Sequence, residues 1–214
     1  KTVKYLLTEA KKLQRPVVLH FKTVKGKGYL PAEAEPDRFH GVGKFDPVTG
    51  ASLGQSKGGF SDAFGRALCR LAQRNERICA VTAAMQPGTG LDGFAGQFPE
   101  RFFDVGIAEG HAVTMCAGMA KQGLVPVFAV FSTFLQRSYD MLLHDVALQG
   151  LHVVFCVDRA GLVGADGETH QGVFDVGFLD TVPGMTVLAP ASYAELEDML
   201  TYAVQKCKGP VAIR

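Results

Sequence analysis

The 214-residue chain is 47% hydrophobic and 20% charged, with a formal net charge of +1. That balance suits one substantial core plus an appendage, and it argues against a nucleic-acid groove or an anionic membrane surface as the main partner. No apolar run approaches the roughly 18 residues needed to span a bilayer, and no signal peptide is visible.

In chain order, Val3, Leu6, Leu7, Ala10 and Leu13 recur at helical spacing with no capping residue ahead of them. A helix that begins mid-pattern reads as part of a longer polypeptide. Pro16–Thr23 is short and rich in β-branched residues, and predicts a strand. Residues 24–57 hold several Gly and Pro with little periodicity and predict a long interdomain linker. From Gly58 the pattern is regular. A helix over 58–75 precedes the strand Ile78–Thr82, and a helical turn near Leu91–Phe98 leads to the strand Arg101–Val105. A helix from Glu109 to Gln122 leads to the strand Val125–Phe131, and a helix from Phe134 to Leu148 leads to His152–Val157. A glycine-rich loop and a short helix follow, then Met185–Ala189, a helix over 192–207, and Pro210–Ile213. Short apolar strands alternating with helices predict an α/β fold, a doubly wound and mostly parallel sheet with helices on both faces. The five cysteines, Cys69, Cys79, Cys116, Cys156 and Cys207, form no C-x-x-C pair and read as small buried hydrophobes in a reducing compartment.

Ligands of such sheets sit at the carboxyl ends of the strands. Arg101–Val105 ends in Gly-Ile-Ala-Glu109, which puts a carboxylate at a helix start, where the helix dipole alone would favour it. Val125–Phe131 ends in Ser-Thr-Phe134-Leu-Gln-Arg137; on its own, Phe134 reads as core and Arg137 as surface charge. His152–Val157 ends in the stretch 158–172, with four glycines, Arg159, two aspartates (one is Asp166) and His170. Gly161-Leu-Val-Gly-Ala-Asp-Gly167 has the wrong spacing for a dinucleotide fingerprint, and Lys25-Gly-Lys-Gly28 lacks a phosphate-loop context. No serine elbow is present, and no His or Cys pairing supports a metal site.

The longest of these stretches, Asp158-Arg-Ala-Gly-Leu-Val-Gly-Ala-Asp-Gly-Glu-Thr-His170, resembles the 1-deoxy-D-xylulose-5-phosphate synthase family of thiamine-diphosphate enzymes. So do Phe103–Glu109, Ser132–Arg137, His144–Gln149, Lys25–Glu33 and Phe39-His40-Gly-Val, and the resemblance spans essentially the whole chain. It implies a transketolase-like, cytoplasmic or plastid transferase that condenses pyruvate with glyceraldehyde 3-phosphate, releases CO2 and feeds isoprenoid, thiamine and pyridoxal synthesis. It implies thiamine diphosphate and Mg2+ as cofactors and a homodimer. Glu109 would hydrogen-bond N1′ of the aminopyrimidine and serve as a proton-sharing acid, Phe134 would stack on that ring, and Tyr29 would lie beside it. Arg159 and Arg137 would face the aldehyde's phosphate and hydroxyls, with Phe131 next to substrate. His170 and Asp166 would line the substrate channel, with His40 a further proton-handling group.

Phe131 stands where the family commonly has tyrosine, and Gly110 where it has glutamine. The family's Gly-Asp-Gly … Asn element, which holds Mg2+ and the diphosphate, does not occur in these 214 residues, and neither does its third domain. Residues 1–57 are then expected to be the end of the diphosphate-binding domain plus the linker, and 58–214 the pyrimidine-binding domain, in a fragment or one subunit of a split enzyme. The alternatives are a β-type subunit of a 2-oxo-acid dehydrogenase, a transketolase-like split subunit, or a non-catalytic oligomerisation module.

Overall fold

A computed structural model describes residues 1–54, 58–164 and 167–214. The chain divides into two compact units, Lys1–Lys57 and Gly58–Arg214. In the second, the described residues form a six-stranded sheet: β1 (Ile78–Thr82), β2 (Phe102–Asp104), β3 (Val125–Phe131), β4 (Val154–Asp158), β5 (Thr186–Leu188) and β6 (Val211–Ile213). Their order is β2-β1-β3-β4-β6-β5, and every pairing is parallel. The connection from β1 runs outward to β2, while that from β3 runs the other way to β4, so the topology reverses between β1 and β3.

The strands are apolar on both faces because both are covered. Ile78, Ala80, Val127, Val154, Cys156, Val211 and Ile213 point into one core. It is completed by α3 (Phe60–Arg74), α4 (Asp92–Gln97) and a long helix, Tyr193–Gln205. The alternate residues Val81, Phe128, Val130, Phe155, Val157 and Ala212 point into the other core, against α5 (Glu109–Lys121) and the segment after β3. Phe94, Phe128 and Phe155 have no exposed surface; each such side chain contributes about 1.5–3 kcal/mol of burial free energy. The Tyr193–Gln205 helix starts on an N-cap: Ser192 Oγ accepts from Glu195 N at 3.2 Å, and the Glu195 carboxylate accepts from Ala191 N, the residue before the cap, at 2.7 Å.

Two sequence expectations are corrected. The helix expected over Phe134–Leu148 is broken into an α-turn (Ser132–Leu135), a 3-10 turn (Gln136–Ser138), an α-turn (Tyr139–Met141) and a π-helical stretch (Leu142–Ala147). The wider π turn still buries Leu142 and Val146 against α5, and Thr114 Oγ1 donates to Asp145 Oδ2 at 2.5 Å. Pro16–Thr23 forms no strand. A strand exists only through a neighbour's ladder, and among the described residues this segment has none, leaving Val18 93% exposed.

Within Lys1–Lys57, α1 (Thr2–Lys12) buries no residue, and α2 (Leu30–Ala34) buries Ala32 alone. The loop that carries α2 is organised by Tyr29, Phe39 and Phe45, with the Tyr29–Phe39 and Phe39–Phe45 rings edge-on at 5.5 Å. Backbone N–H groups of Val48 and Thr49 donate to Asp46 Oδ1 and hold its carboxyl below the usual carboxylate range.

Candidate active site

Two turns at the carboxyl edge of the sheet, those after β2 and β4, are held by the aspartate that ends the strand. At the end of β2, Asp104 Oδ1 accepts from Gly106 N at 2.9 Å and from Ala84 N at 2.8 Å. It thereby fixes Ala84, whose φ of 59° is left-handed, and the entry to α5. Glu109 opens that helix with its side chain only 5% exposed. Its Oε1 accepts from Arg137 Nη1 at 2.5 Å. The same guanidinium lies 4.7 Å above the Phe134 ring, so one planar cation spans the carboxylate and the aromatic face.

Phe134 continues the chain of contacts. Phe131 is stacked on it at 6.1 Å and 17°, and His170 meets it edge-on at 5.3 Å. The Arg159 guanidinium sits 4.9 Å over Phe131. Thr169 Oγ1 lies 2.8 Å from His170 Nδ1. Six of the residues singled out from the sequence, Glu109, Phe131, Phe134, Arg137, Arg159 and His170, thus form one contiguous cluster contributed by three strand ends. Asp166 lies outside the described residues. Tyr29 and His40 belong to the Lys1–Lys57 unit, where His40 is exposed and the Tyr29 hydroxyl is buried with no hydrogen-bond partner among the described residues. The two departures from the family pattern are packed rather than empty. A Cβ on Gly110 would touch the Met141 methyl at 3.0 Å, and the tip of the Phe131 ring abuts Gly88.

Sequence reasoning did not find the residues that hold this cluster. Asp158 ends β4 and accepts from Arg159 N at 2.7 Å and from Ser61 Oγ at 2.5 Å. Gln171 closes the loop ahead of it: Val163 N donates to Gln171 Oε1 at 2.6 Å, and Gln171 Nε2 donates to Val163 O at 3.1 Å. Arg214, at the end of β6, makes two bonds to the buried carboxylate of Asp175, at 2.8 and 3.1 Å, and so ties α6 (Asp175–Leu179) to the sheet. A cavity of about 400 Å³ opens on the α3 side of the same edge; Ser61, Asp158 and Arg159 form part of its wall, and Phe64, Ala129 and Leu196 part of its apolar lining. Among the described residues no cluster of His, Cys, Asp or Glu could hold a metal ion, and no helix is long and apolar enough to cross a membrane.

The chain is 54% identical over 209 residues to a Clostridium acetobutylicum protein named 1-deoxy-D-xylulose-5-phosphate synthase, covering 98% of this chain and 34% of that one. It is 56% identical over 207 residues to 1-deoxy-D-xylulose-5-phosphate synthase 1 of Geobacter sulfurreducens, covering 96% and 32%. It spans about a third of the length of the curated relatives it matches. Among solved structures, a split-gene transketolase described as an inactive β4 tetramer superposes with a TM-score of 0.64 and 31% identity over 72% of this chain and 50% of that one. Transketolase from Leishmania mexicana shares the fold, with a TM-score of 0.63 and 20% identity over 72% and 24%. Residues 57–214 match the family described as the transketolase pyrimidine binding domain, and the chain belongs to that family.

Proposed function

We propose that this chain is the aminopyrimidine-and-substrate half of a 1-deoxy-D-xylulose-5-phosphate synthase, a transferase that joins pyruvate to glyceraldehyde 3-phosphate with loss of CO2. The observation that carries this reading is a nearly fully buried carboxyl, Glu109, joined through Arg137 to the half-buried ring of Phe134 at the carboxyl edge of a parallel sheet. That pair fits an aminopyrimidine, which needs a carboxyl at one ring nitrogen and a flat apolar surface. Thiamine diphosphate, when bound, supplies the nucleophilic carbon that the amino-acid side chains lack.

The remaining roles follow from what each side chain can do. Glu109, buried and hydrogen-bonded, holds or shares a proton at the pyrimidine nitrogen and so sets its tautomer. Arg159 offers a planar fork of donors to the acceptor's phosphate, a dianion that a single ammonium would match less well. Arg137, half exposed, meets the substrate's carboxylate or hydroxyls once it leaves Glu109. His170 moves protons near neutral pH as the new carbon–carbon bond forms, with Asp166 and His40 assigned to the same channel. Tyr29 is assigned to the cofactor's flank and Phe131 to the substrate's.

Residues 1–57 are read as the end of a diphosphate-binding domain plus linker. Mg2+ and the diphosphate are assigned to residues outside these 214, because the chain carries no Gly-Asp-Gly element. The assembled enzyme is read as a homodimer of the bacterial cytoplasm or plastid stroma. The description of a split-gene transketolase β4 tetramer as inactive supports expecting no activity from this chain alone.

Calorimetric titration of the 214-residue chain with thiamine diphosphate and Mg2+ tests the assignment. The expected affinity is about millimolar, since a carboxyl and a stacking ring supply little of the binding energy. Supplied with the diphosphate-binding and C-terminal domains of the Clostridium relative, the chain should form deoxyxylulose phosphate. Micromolar, Mg2+-dependent binding by the chain alone would overturn the division of labour, and absence of product from the assembled enzyme would overturn the activity.

A further inference from the structure

Arg159 is one of two non-glycine residues in the described chain with a left-handed backbone, at φ 57°. An arginine there pays about 1–2 kcal/mol relative to ordinary geometry, so something must hold it. Three contacts do. The Asp158 carboxylate accepts the Arg159 N–H through Oδ1. The Arg159 carbonyl is packed against Gly172, where any Cβ would collide with it and with Ser132. One residue further on, Gly161 and Gly172 exchange two backbone bonds, of 2.7 and 2.9 Å, which close the base of the loop that carries His170.

Asp158 is itself anchored from a distant part of the chain. Its Oδ2 accepts from Ser61 Oγ at 2.5 Å, across 97 residues of sequence. Ser61 lies in the first turn of α3 and cannot drift, because its carbonyl is packed against Gly90, where a Cβ would also collide. A rigid helix thus grips a strand-end carboxylate, which grips the N–H of the strained arginine. The outcome is a guanidinium held over Phe131 with its Nε buried.

We propose that Ser61 and Asp158 are positioning residues for Arg159: the clamp they form imposes the left-handed turn and thereby fixes where the guanidinium meets the acceptor's phosphate. This rests on the reading of Arg159 as the phosphate-binding arginine, given above. Without the clamp the backbone relaxes to an ordinary conformation, the Cβ direction swings, and the guanidinium leaves the Phe131 face. Neither Ser61 nor Asp158 touches substrate in this scheme.

Two measurements test it. In the 214-residue chain, 15N relaxation of the Arg159 Nε–H should report a rigid side chain, with an order parameter near that of ordered backbone (about 0.85), falling below about 0.6 in Ser61→Ala and recovering in Ser61→Thr. Asp158→Asn, which keeps one acceptor but weakens both bonds, should fall between them. In the assembled enzyme, Ser61→Ala should raise KM for glyceraldehyde 3-phosphate about tenfold, leave kcat and the KM for unphosphorylated glyceraldehyde unchanged, and have no further effect in an Arg159→Ala background. An unchanged Arg159 order parameter in Ser61→Ala, with native dispersion elsewhere, would overturn the clamp. So would equal losses with both aldehydes where Arg159→Ala does separate them, which would make Ser61 merely structural. If Arg159→Ala itself fails to separate the two aldehydes while the relaxation result holds, the clamp stands and the phosphate assignment falls.

Discussion

Arg137 answers to two neighbours at once, the Glu109 carboxylate at 2.5 Å and the Phe134 face at 4.7 Å. These are the groups assigned to the aminopyrimidine, so a bound ring and this arginine compete for the same partners. Arg137→Met should therefore tighten binding of thiamine to the isolated chain, by up to about fivefold given the ~1 kcal/mol worth of a half-exposed ion pair. In the assembled enzyme the same change should lower turnover. Weaker thiamine binding by the variant would mean that the arginine supports the ring instead. Glu109→Ala should reduce kcat of the assembled enzyme by about 10²-fold or more while leaving the thermal unfolding of the chain near that of wild type; turnover close to wild type at saturating thiamine diphosphate would remove Glu109 from the chemistry. The thiols follow burial in a similar way. Cys116 has no exposed surface and Cys156 is buried with 8% exposure at the cavity wall, and desolvation pushes both far up, out of the range in which a thiolate forms near pH 8. Cys207 is only partly covered. A disulfide reagent at pH 8 should titrate Cys207 first and reach Cys116 and Cys156 only on adding denaturant; five thiols reacting at one rate would contradict the packing described here.

At the scale of elements, α3 rests on backbone rather than on side chains where it meets the turn after β1. A Cβ on Gly65 would drive into the carbonyl of Gly90, whose own φ of 75° leaves it no room to retreat. In an isolated helix, Gly65→Ala would gain about 1 kcal/mol of propensity, but overpacking against fixed backbone costs about 1–3 kcal/mol, and here neither side can give. The net expectation is destabilisation, read as a lower midpoint of urea unfolding with unchanged slope; a higher midpoint would mean that the helix slides. The elements themselves were legible to different degrees, for physical reasons. Ile78–Thr82 and Val125–Phe131 stand in the structure at the bounds the sequence suggests, because continuous apolar runs between polar turns admit little else in a two-sided sheet. The stretch after Phe134 keeps Leu135, Leu142 and Val146 at near-helical spacing, so its periodicity hides the π turn that absorbs an extra residue. Pro16–Thr23 has strand composition without a strand, since propensity says nothing about a partner. In the site, the glutamate, arginines and histidine were visible as chemistry at strand ends. The Ser61–Asp158 bond was invisible because nothing local marks a contact 97 residues long, and a left-handed arginine has no signature such as glycine gives.

At the scale of the whole molecule, the two units differ in how much they bury. Gly58–Arg214 holds both apolar cores, while α1 exposes Tyr5 and Leu7 by more than half and the following segment exposes Val18 almost completely. Backbone without buried contacts opens at low free energy, so brief trypsin treatment should cut first among the lysines and arginines of residues 1–57 and leave a resistant product beginning near Gly58. Early cleavage inside α3 or α5 would contradict that ranking. The strand order adds a consequence in time. β6, the last strand in sequence, lies between β4 and β5, and Val211, Ala212 and Ile213 are each buried to within 3% exposure. While a ribosome is making this chain, β5 and the helix behind it emerge with no neighbour to pair with, and both cores keep an open seam. The sheet closes only when Val211–Ile213 are released, and Arg214 then fastens them to Asp175. A nascent chain stalled before Val211 should therefore remain accessible to chaperones from the end of β4 onward, however long it waits, and this unit should fold soon after Val211–Arg214 clear the tunnel.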